Sequence, residues 1–242
     1  MSHLDICIDL ETCGLGTNAA PMQLAAVAFD RTQFVESSDD DPAHRVIDNH
    51  PFLYSDDGII CRGSFLNVGF DLRDCFFHGL QFEAGTQQWW LRQSADARQA
   101  VLSTDVGPYT MRLALSVFSD WLTGRAAAAD VQLSDITIWA QGSDFDIAKL
   151  REYYSRCGMT EPFRHTQVRC ARTYILENAC LFIEPDAALR DPKKVYSSLV
   201  DLPGNICPSV THDALYDSFK TAWQVWQVYQ KLMSSLSCVH ES

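Results

Sequence analysis

The stretch DICIDLETCG, residues 5 to 14, has the alternation of a buried β-strand but carries two acidic residues. Aliphatic side chains at positions 6, 8 and 10 share one face of the strand, while Asp9 and Glu11 share the other. Two residues along a strand rise roughly 6.6 Å, so both carboxylates can point at a common site. The pair either marks a strand end that meets solvent or needs a partner from elsewhere in the chain.

Length and composition restrict the class of protein. The chain has 242 residues, of which 47% are hydrophobic and 21% are charged, as in an ordinary globular protein. Its apolar runs are shorter than the roughly 18 residues that span a bilayer, and its N-terminus lacks the pattern of a secretory signal. We therefore expect one domain over residues 1–242, located in the cytoplasm, with no membrane partner.

Net charge and cysteine content restrict the class of protein further. The formal net charge of -12 argues against a protein that coats long nucleic acid, because such binding needs many Lys and Arg contacts to phosphates. A protein that grips one chain end is compatible with this charge, since divalent cations can supply local positive charge. The nine cysteines show no metal-ligand spacing and are expected to be reduced thiols.

The rest of the sequence combines strand-like and helical segments around one irregular region. Strands are predicted at residues 4–10, 22–29, 65–70 and 135–140. Residues 31–60 have no regular pattern and are predicted to be an insertion, whose acidic run ESSDDD forms a solvated loop. Strands followed by helices interleaved with a strand indicate an α/β fold with one mixed sheet.

Helix boundaries are predicted from capping residues. Thr86 is expected to cap a helical segment that breaks near Ser94, and Pro108 is expected to open the next helix. The helix after the fourth strand should end at Gly158, and the last helix should begin near Thr211. These boundaries place further polar residues at the starts of helices.

Acidic residues recur at two of these helix starts. Asp146 lies in the first turn after the fourth strand, where an acid can simply favour the helix dipole, and Asp144 competes with it. His212 and Asp217 lie at the start of the last helix. Five helical positions rotate by about 140°, so these two side chains share a site only if His212 sits at or before the first turn.

This set of four carboxylates and one histidine is typical of a site with two hard cations and a general base. Oxygen ligands favour Mg²⁺ or Mn²⁺, whereas zinc would prefer nitrogen and sulfur ligands. Without cations, closely packed carboxylates repel one another, and their pKa values should rise.

Three segments, in this order, resemble the motifs of DEDDh exonucleases, the 3'-5' branch of the ribonuclease H-like superfamily. They are IDLET at 8–12, GSDFD at 142–146 and HDALYD at 212–217. The HxxxxD spacing of the third segment resembles the histidine variant of the family. Two further segments, TQQWWLRQSADAR at 86–98 and RCART at 169–173, are similar to the phage-type, exonuclease VIII-like subgroup that includes ribonuclease AS.

The resemblance implies a ribonuclease H-like mixed β-sheet flanked by helices, and 3'-5' exonuclease activity on the 3' ends of single-stranded RNA or DNA with two ions of Mg²⁺ or Mn²⁺. One ion would be held by Asp9, Glu11 and Asp146, with Asp217 completing its shell, and the second mainly by Asp9. The other residues implied are His212 as the general base and Thr12, Leu15 and Phe145 as substrate contacts. A homodimer is implied in the same way.

The chain departs from the family pattern at several positions. Gln141 and Gly142 stand where many relatives carry Asn, and Cys170 stands where an acidic residue is usual. The resemblance does not account for the insertion at 31–60. It therefore does not predict how the edge of the protein that faces the substrate is formed.

Several alternatives stay open. Trp89 and Trp90 either offer a stacking face to a base or divide into one core and one interface residue. Arg169 and Arg172 contact phosphate or a neighbouring subunit, or form surface salt bridges. For the whole chain, the alternatives are a nucleic-acid-binding module that no longer cleaves and a metal-dependent phosphatase, which would need a small closed pocket.

Overall fold

The computed structural model describes residues 3–33, 51–52, 64–184, 186, 191–204, 206–207 and 212–240. A six-stranded mixed sheet forms its centre. The strands are β1 (Asp5–Thr12), β2 (Pro21–Phe29), β3 (Phe65–Phe70), β4 (Val106–Tyr109), β5 (Thr137–Ala140) and β6 (Val168–Cys170). The α-helices are α1 (Leu72–Phe77), α2 (Ala84–Arg92), α3 (Ala95–Leu102), α4 (Met111–Ala128), α5 (Asp146–Arg156), α6 (Ala171–Glu177), α7 (Pro192–Ser198) and α8 (Ala214–His240).

The sheet has the order β4-β3-β2-β1-β5-β6, and β2 runs against the other five strands. Strand β1 is central, pairing antiparallel with β2 and parallel with β5. Because β1 and β5 are parallel, their carboxyl ends lie at the same edge of the sheet. The segment that follows β5 therefore starts beside the end of β1. The predicted α/β class with one mixed sheet is confirmed.

Helices cover both faces of the sheet. The aliphatic residues at positions 6, 8 and 10 of β1 pack into the larger core together with residues of α4 and α5. Cys7, on the other face, packs into a second core with residues of α8 such as Trp223. Positions 9 and 11 have the same side-chain direction as Cys7, so both acidic residues of β1 point to the face that α8 crosses.

One predicted helix start, at Thr86, is wrong. Thr86 lies inside α2, which begins at Ala84 with Glu83 as its N-cap residue. The backbone N–H of Glu83 bonds to the carbonyl oxygen of Cys13 at 2.8 Å. The start of α2 is therefore fixed by the loop after β1, and no side-chain cap is needed to define it.

The helix start predicted at Pro108 is wrong as well. Pro108 lies in the edge strand β4, and α4 begins only at Met111. An edge strand tolerates proline because one side of the strand needs no N–H donors. Strands β4 and β6 have four and three residues, which is too short for an alternating pattern to be recognised.

Other predicted elements agree with the structure. All four predicted strands are present, with boundaries that differ by a few residues. The break near Ser94 is confirmed, because the Ser94 side chain accepts the N–H of Ala97 at 3.1 Å and caps α3. The helix predicted to end at Gly158 does so, since α5 stops at Arg156 and Gly158 has a φ of 59°, which a glycine adopts without strain.

Most of the predicted insertion at 31–60 lies outside the described residues, as does Thr211. Phe52 is described and is fully buried. Its ring packs edge-on against that of Phe219, with centroids 4.9 Å apart, and its backbone forms a β-bridge with Phe29. The chain thus returns to the second core at Phe52 before β3 begins.

Two further expectations concern cysteines and membranes. The seven cysteines whose side chains the structure describes form no disulfide bond. In the described part of the chain, no helix combines the length and the hydropathy required to cross a membrane. The extent of the domain over residues 1–242 stays a prediction.

Candidate active site

Three carboxylates meet at the carboxyl end of β1. Asp9, Glu11 and Asp217 each offer an oxygen, and these three oxygens all lie within 4.8 Å of one another. Alternation along β1 turns the first two side chains towards α8, whose first turn carries the third. The backbone N–H of Asp217 bonds to the carbonyl oxygen of Asp213 at 2.9 Å. The structure thus brings together three of the four acidic residues singled out in the sequence.

The fourth acidic residue, Asp146, is the first residue of α5 and lies against the main chain of β1. It is 3% exposed, and its Oδ1 accepts the N–H of Leu10 at 3.2 Å. Asp144, its competitor in the sequence, is exposed. Asp146 lies outside the group of three oxygens, so the tight group contains Asp217 where the resemblance implied Asp146. We refer to all four residues as the acid cluster.

Burial and mutual repulsion raise the pKa values in the acid cluster. Burial, followed by the charges of Asp217 and Asp146, raises the pKa of Glu11 to about 8. Burial raises the pKa of Asp146 to about 7, and burial together with the charge of Asp146 raises the pKa of Asp9 well above its ordinary range. In the absence of cations, bound protons therefore neutralise part of the cluster near neutral pH.

The acid cluster fits a hard divalent cation. Every ligand atom of the group of three is a carboxylate oxygen, which Mg²⁺ and Mn²⁺ prefer, and among the described residues no histidine or cysteine belongs to that group. Cations bind deprotonated carboxylates and release their protons. A cation site that holds no cations is expected to bind protons instead. The raised pKa values of the acid cluster agree with this expectation.

His212 lies two residues before the start of α8. Its φ of 60° lies in the left-handed region, so the five-residue helical spacing to Asp217 does not apply. Its ring lies edge-on to that of Trp89, with centroids 4.6 Å apart, and 6.2 Å from that of Trp90. Burial raises the pKa of Asp217, and the neighbouring side chains of Lys220 and His212 oppose that increase. His212 is thus near enough to act on the acid cluster electrostatically.

Gln23 fixes the start of α8 and was not singled out in the sequence. It is fully buried on β2, and its Nε2 donates to Oδ1 of Asp213 at 2.8 Å and to Oδ1 of Asn67 at 2.9 Å. Its Oε1 accepts the N–H of Ala214 at 3.1 Å, while Asp213 caps the helix by accepting the N–H of Leu215. The only sequence signal was a glutamine in the otherwise apolar strand MQLAAVAF.

A cavity of about 470 Å³, the small cleft, opens between Glu11 and the loop that follows β1. The three substrate contacts implied by the resemblance, Thr12, Leu15 and Phe145, all line it. Leu15 is 77% exposed at this cleft, and the hydroxyl of Thr12 donates to the carbonyl oxygen of Gly14 at 2.8 Å. The small cleft is therefore a largely apolar recess beside the acid cluster.

A larger cavity of about 830 Å³, the large cleft, is lined by all four residues of the acid cluster. Glu11 and Phe145 line both cavities, so the two clefts adjoin at Glu11, one of the four residues of the acid cluster. The remaining wall of the large cleft is mainly polar and carries two cationic side chains together with two further carboxylates, Asp144 and Asp201. Its residues include Gln141, Arg172, Tyr196, Ser197, Lys220 and Gln224.

The structure describes the surroundings of the two tryptophans and the two arginines whose roles the sequence left open. Trp90 is 6% exposed and its Nε1 donates to the carbonyl oxygen of Thr12 at 3.4 Å, whereas Trp89 is 39% exposed in the small cleft. They divide into one core and one surface residue. Neither Arg169 nor Arg172 forms an ion pair with a described residue; both donate to backbone carbonyl oxygens, and Arg172 lines the large cleft.

The residues that depart from the family pattern form a wall beside the large cleft. Nε2 of Gln141 donates to the hydroxyl of Tyr196 at 3.0 Å. The backbone carbonyl oxygen of Gln141 accepts a hydrogen bond from Arg172 at 3.1 Å. Gly142 has a φ of 105°, and a β-carbon there would lie 3.1 Å from the guanidinium of Arg172.

Burial raises the pKa of the Cys170 thiol, but hydrogen bonds to neighbouring groups outweigh burial and lower it overall.

A family model described as the 3'-5' exoribonuclease Rv2179c-like domain matches residues 4–229. The chain belongs to this family. The matched region contains the whole acid cluster and His212. An exodeoxyribonuclease of Enterobacteria phage T4 is 26% identical in an alignment of 229 positions that covers 89% of this chain and 85% of the phage protein. The resemblance to 3'-5' exonucleases that the three motifs indicated is confirmed.

The fold is also that of E. coli exonuclease I. A structure of that protein with a zinc ion and single-stranded DNA matches with a TM-score of 0.54 at 11% identity. The match covers 100% of this chain and 43% of exonuclease I, so the chain spans less than half the length of that protein. At this identity the comparison shows the fold alone, and it confirms the ribonuclease H-like mixed sheet flanked by helices.

Proposed function

We propose that this chain is a 3'-5' exonuclease that hydrolyses single-stranded nucleic acid and releases nucleotides one at a time. The observation that carries the proposal is the group of three carboxylate oxygens within 4.8 Å, with buried Asp146 beside it, in a member of a 3'-5' exoribonuclease family. Mutually repelling, desolvated acids are unfavourable unless they serve a ligand, and they cluster at functional sites.

The acid cluster would hold two divalent cations, Mg²⁺ or Mn²⁺. Asp9, Glu11 and Asp217 offer the oxygens for one ion, and Asp146 together with Asp9 would serve the other. When bound, such ions neutralise charge at the phosphodiester and acidify the attacking water. The chain itself keeps the ligands in place, since the N–H of Leu10 orients Asp146 and the first turn of α8 orients Asp217.

His212 would act as the general base that takes a proton from the attacking water. A histidine before a helix is commonly a cap, but here the side chain of Asp213 caps α8 by accepting the N–H of Leu215 at 3.1 Å. The contact with Trp89, which lines the small cleft together with Glu11, positions the imidazole ring. These contacts support a catalytic role, because a base must be positioned before its pKa matters.

The two clefts suggest how a strand would lie across the site. The apolar small cleft suits the nucleoside at the 3' end, with Thr12, Leu15 and Phe145 as its contacts. The large cleft, which carries Arg172 and Lys220, suits the preceding nucleotides. The phosphodiester between them would then lie at the acid cluster, and cleavage would leave the 3'-oxygen on the shortened strand.

Both RNA and DNA are proposed as substrates. The family is described as an exoribonuclease domain, whereas the phage relative is an exodeoxyribonuclease. The choice between them depends on a contact to the 2'-hydroxyl group. The predicted homodimer and the predicted cytoplasmic location stay predictions.

The two alternative functions are less consistent with the site. A binding module without catalysis has no need for acids with raised pKa values, which Glu11 and Asp146 have. A phosphatase that acts on small molecules needs a closed pocket. An acid cluster in a large open cleft that adjoins a second open cleft at Glu11 favours a substrate that extends beyond the cluster.

A ladder assay tests the proposed function. Single-stranded RNA and DNA of the same sequence, labelled at the 5' end, are incubated with Mg²⁺ or Mn²⁺. We expect stepwise shortening from the 3' end, and suppression of shortening by a 3'-terminal phosphate. Cleavage of a circular strand at the same rate would identify an endonuclease, and the absence of cleavage with every strand and metal would contradict the proposal.

A further inference from the structure

Lys149 on α5 is a buried lysine without an acidic partner at contact distance. Its side chain is among the largest that are fully buried, and the residue is 1% exposed. Among the described residues, no carboxylate oxygen lies within 4.0 Å of its Nζ. Burying an ammonium group is unfavourable unless its donors are satisfied, so the contacts of this group indicate its role.

The ammonium of Lys149 contacts the loop that follows β1. Its Nζ donates to the carbonyl oxygen of Gly14 at 3.0 Å and also to that of Gly16. The same Nζ lies 4.4 Å from the centre of the Phe145 ring, in the geometry of a cation–π contact. One side chain therefore touches both the loop that carries Leu15 and the aromatic ring of Phe145, and both Leu15 and Phe145 line the small cleft.

Glu83 holds the same loop from its other side. Its carboxylate accepts the N–H of Leu15 at 3.0 Å and the N–H of Gly16 at 2.8 Å. The fit is close at Gly14, where a β-carbon would lie 2.3 Å from Cδ of Glu83. The loop thus donates N–H groups to the carboxylate of Glu83, and its carbonyl oxygens accept from the ammonium of Lys149. The side chain of Leu15 projects into solvent.

We propose that Lys149 and Glu83 are positioning residues that set the separation between Leu15 and Phe145, so that the small cleft grips the base of the 3'-terminal nucleotide. This inference rests on the proposed function. The ligand is a nucleobase of any identity, because the cleft lining includes the side chain of Leu15 and the rings of Trp89 and Phe145, and such groups contact the faces of bases. Lys149 acts through the loop and through Phe145, and it does not touch the reacting atoms.

A positioning role differs from general stabilisation in what it does to substrate preference. A residue that only stabilises the fold changes the rate with every substrate by the same factor. A residue that shapes the small cleft changes the rate only when the terminal nucleotide has a base. The ratio of kcat/KM for a normal 3' end to that for an abasic 3' end separates the two roles.

The experiment compares two oligonucleotides that differ only in the last nucleotide, which carries a base in one and is abasic in the other. In the wild-type chain we expect the base to raise kcat/KM by about tenfold or more, the amount that stacking of one base provides. In Lys149→Met and in Glu83→Gln this ratio should fall to about twofold or less, mainly through KM. Arg151→Met, on the same helix, removes the ion pair with Glu161 and should keep the wild-type ratio.

Each outcome of this experiment has a definite meaning. A wild-type chain that shortens both strands equally well, or variants that keep the wild-type ratio, would overturn the inference and leave the proposed function intact. If Lys149→Met does not fold, Glu83→Gln decides, because Glu83 is only half-buried. A wild-type chain that shortens neither strand would contradict the proposed function itself.

Discussion

Glu11 shows most clearly how burial and charge repulsion act within the acid cluster. Burial and the charges of Asp217 and Asp146 raise its pKa from the ordinary value of 4.5 to about 8. Below pH 4.5 the carboxyl is protonated in both the folded and the unfolded chain. Between these two values the folded chain binds more protons than the unfolded chain, so the free energy of unfolding decreases as the pH rises through this window.

Glu11→Gln removes this titration while keeping the shape of the side chain. For metal-free protein, we expect the melting temperature of the wild type to fall between about pH 5 and about pH 8 by more than that of the variant. Mn²⁺ should raise the wild-type melting temperature more at the higher pH, where fewer protons compete. Thermal unfolding with and without a chelator measures both effects, and identical pH profiles for the two proteins would contradict the account.

His212→Ala tests the general base separately from the metal site. We expect kcat to fall by about 10² to 10⁴, because a positioned base contributes that much to a proton transfer. The increase in melting temperature caused by Mn²⁺ should persist, since the group of three ligands lacks His212. His165→Ala changes an exposed histidine and serves as the control. An unchanged kcat in His212→Ala would refute the catalytic role.

At the residue scale, motif spacing allowed Asp9, Glu11, Asp146, His212 and Asp217 to be singled out from the sequence. Gln23 and Lys149 could not be found in this way. Their main partners are a side chain 190 residues away for Gln23 and a backbone carbonyl 135 residues away for Lys149. Such roles depend on which segments the fold brings together, and nothing in the local pattern of the sequence reports them.

At the element scale, the position of α8 relative to β1 determines the site. The helix packs across β1 and β2, and Gln23 bonds to both Asp213 and Ala214 at its start. Ser218, one turn further, donates to the carbonyl oxygen of Ala25 at 3.4 Å. These contacts fix the rotation of α8, which directs Asp217 to the two carboxylates of β1.

Gln23→Leu keeps the approximate volume of the side chain but removes its three hydrogen bonds. We expect the free energy of unfolding to fall by about 2 kcal/mol or more, because buried polar partners are left unsatisfied. The value of kcat/KM should fall in addition, since the start of α8 is no longer fixed. Urea unfolding and the ladder assay measure the two effects, with exposed Gln99→Leu as the control. Unchanged activity would show that Gln23 does not position the site.

The elements themselves were predictable where they were long and regular. Strand β1 has eight residues and β2 has nine, and their patterns of apolar residues were sufficient to predict them. Strands β4 and β6 were missed because they are short and complete the sheet only through contacts with neighbouring strands. Pro108 was misread because a proline before an amphipathic segment usually opens a helix.

At the scale of the whole molecule, the proposed function requires a chain with a negative net charge to bind nucleic acid, which is also negatively charged. The net charge of -12 disfavours contacts with nucleic acid over most of the surface. Arg172 and Lys220 face the large cleft and are the cationic groups in its wall. Binding should therefore depend on few phosphate contacts and decrease only moderately with salt.

Arg172→Gln tests this account of binding. The affinity of a single-stranded oligonucleotide is measured at several salt concentrations, with His212→Ala as the background to slow cleavage. We expect the slope of log affinity against log salt to become shallower by about 0.7, the value for one phosphate contact with a single strand. Arg73→Gln, at a 92% exposed side chain on α1, is the control. An unchanged slope would exclude Arg172 from phosphate binding.

The overall architecture was predictable, because three separated motifs indicated a known fold and the strand pattern agreed with it. The tight grouping of Asp217 with Asp9 and Glu11 was not, since it depends on the rotation of α8. The two clefts were not predictable either, because each is formed by segments that are far apart in the chain.

Calorimetric titration with Mn²⁺ at about pH 8 tests the central claim most directly, by comparing the wild type with Asp9→Asn. The account predicts that the wild type binds about two ions with a clear heat of binding, and that the variant binds them much more weakly because both ions share Asp9. Equal heats for the two proteins, or no heat of binding for the wild type, would contradict it.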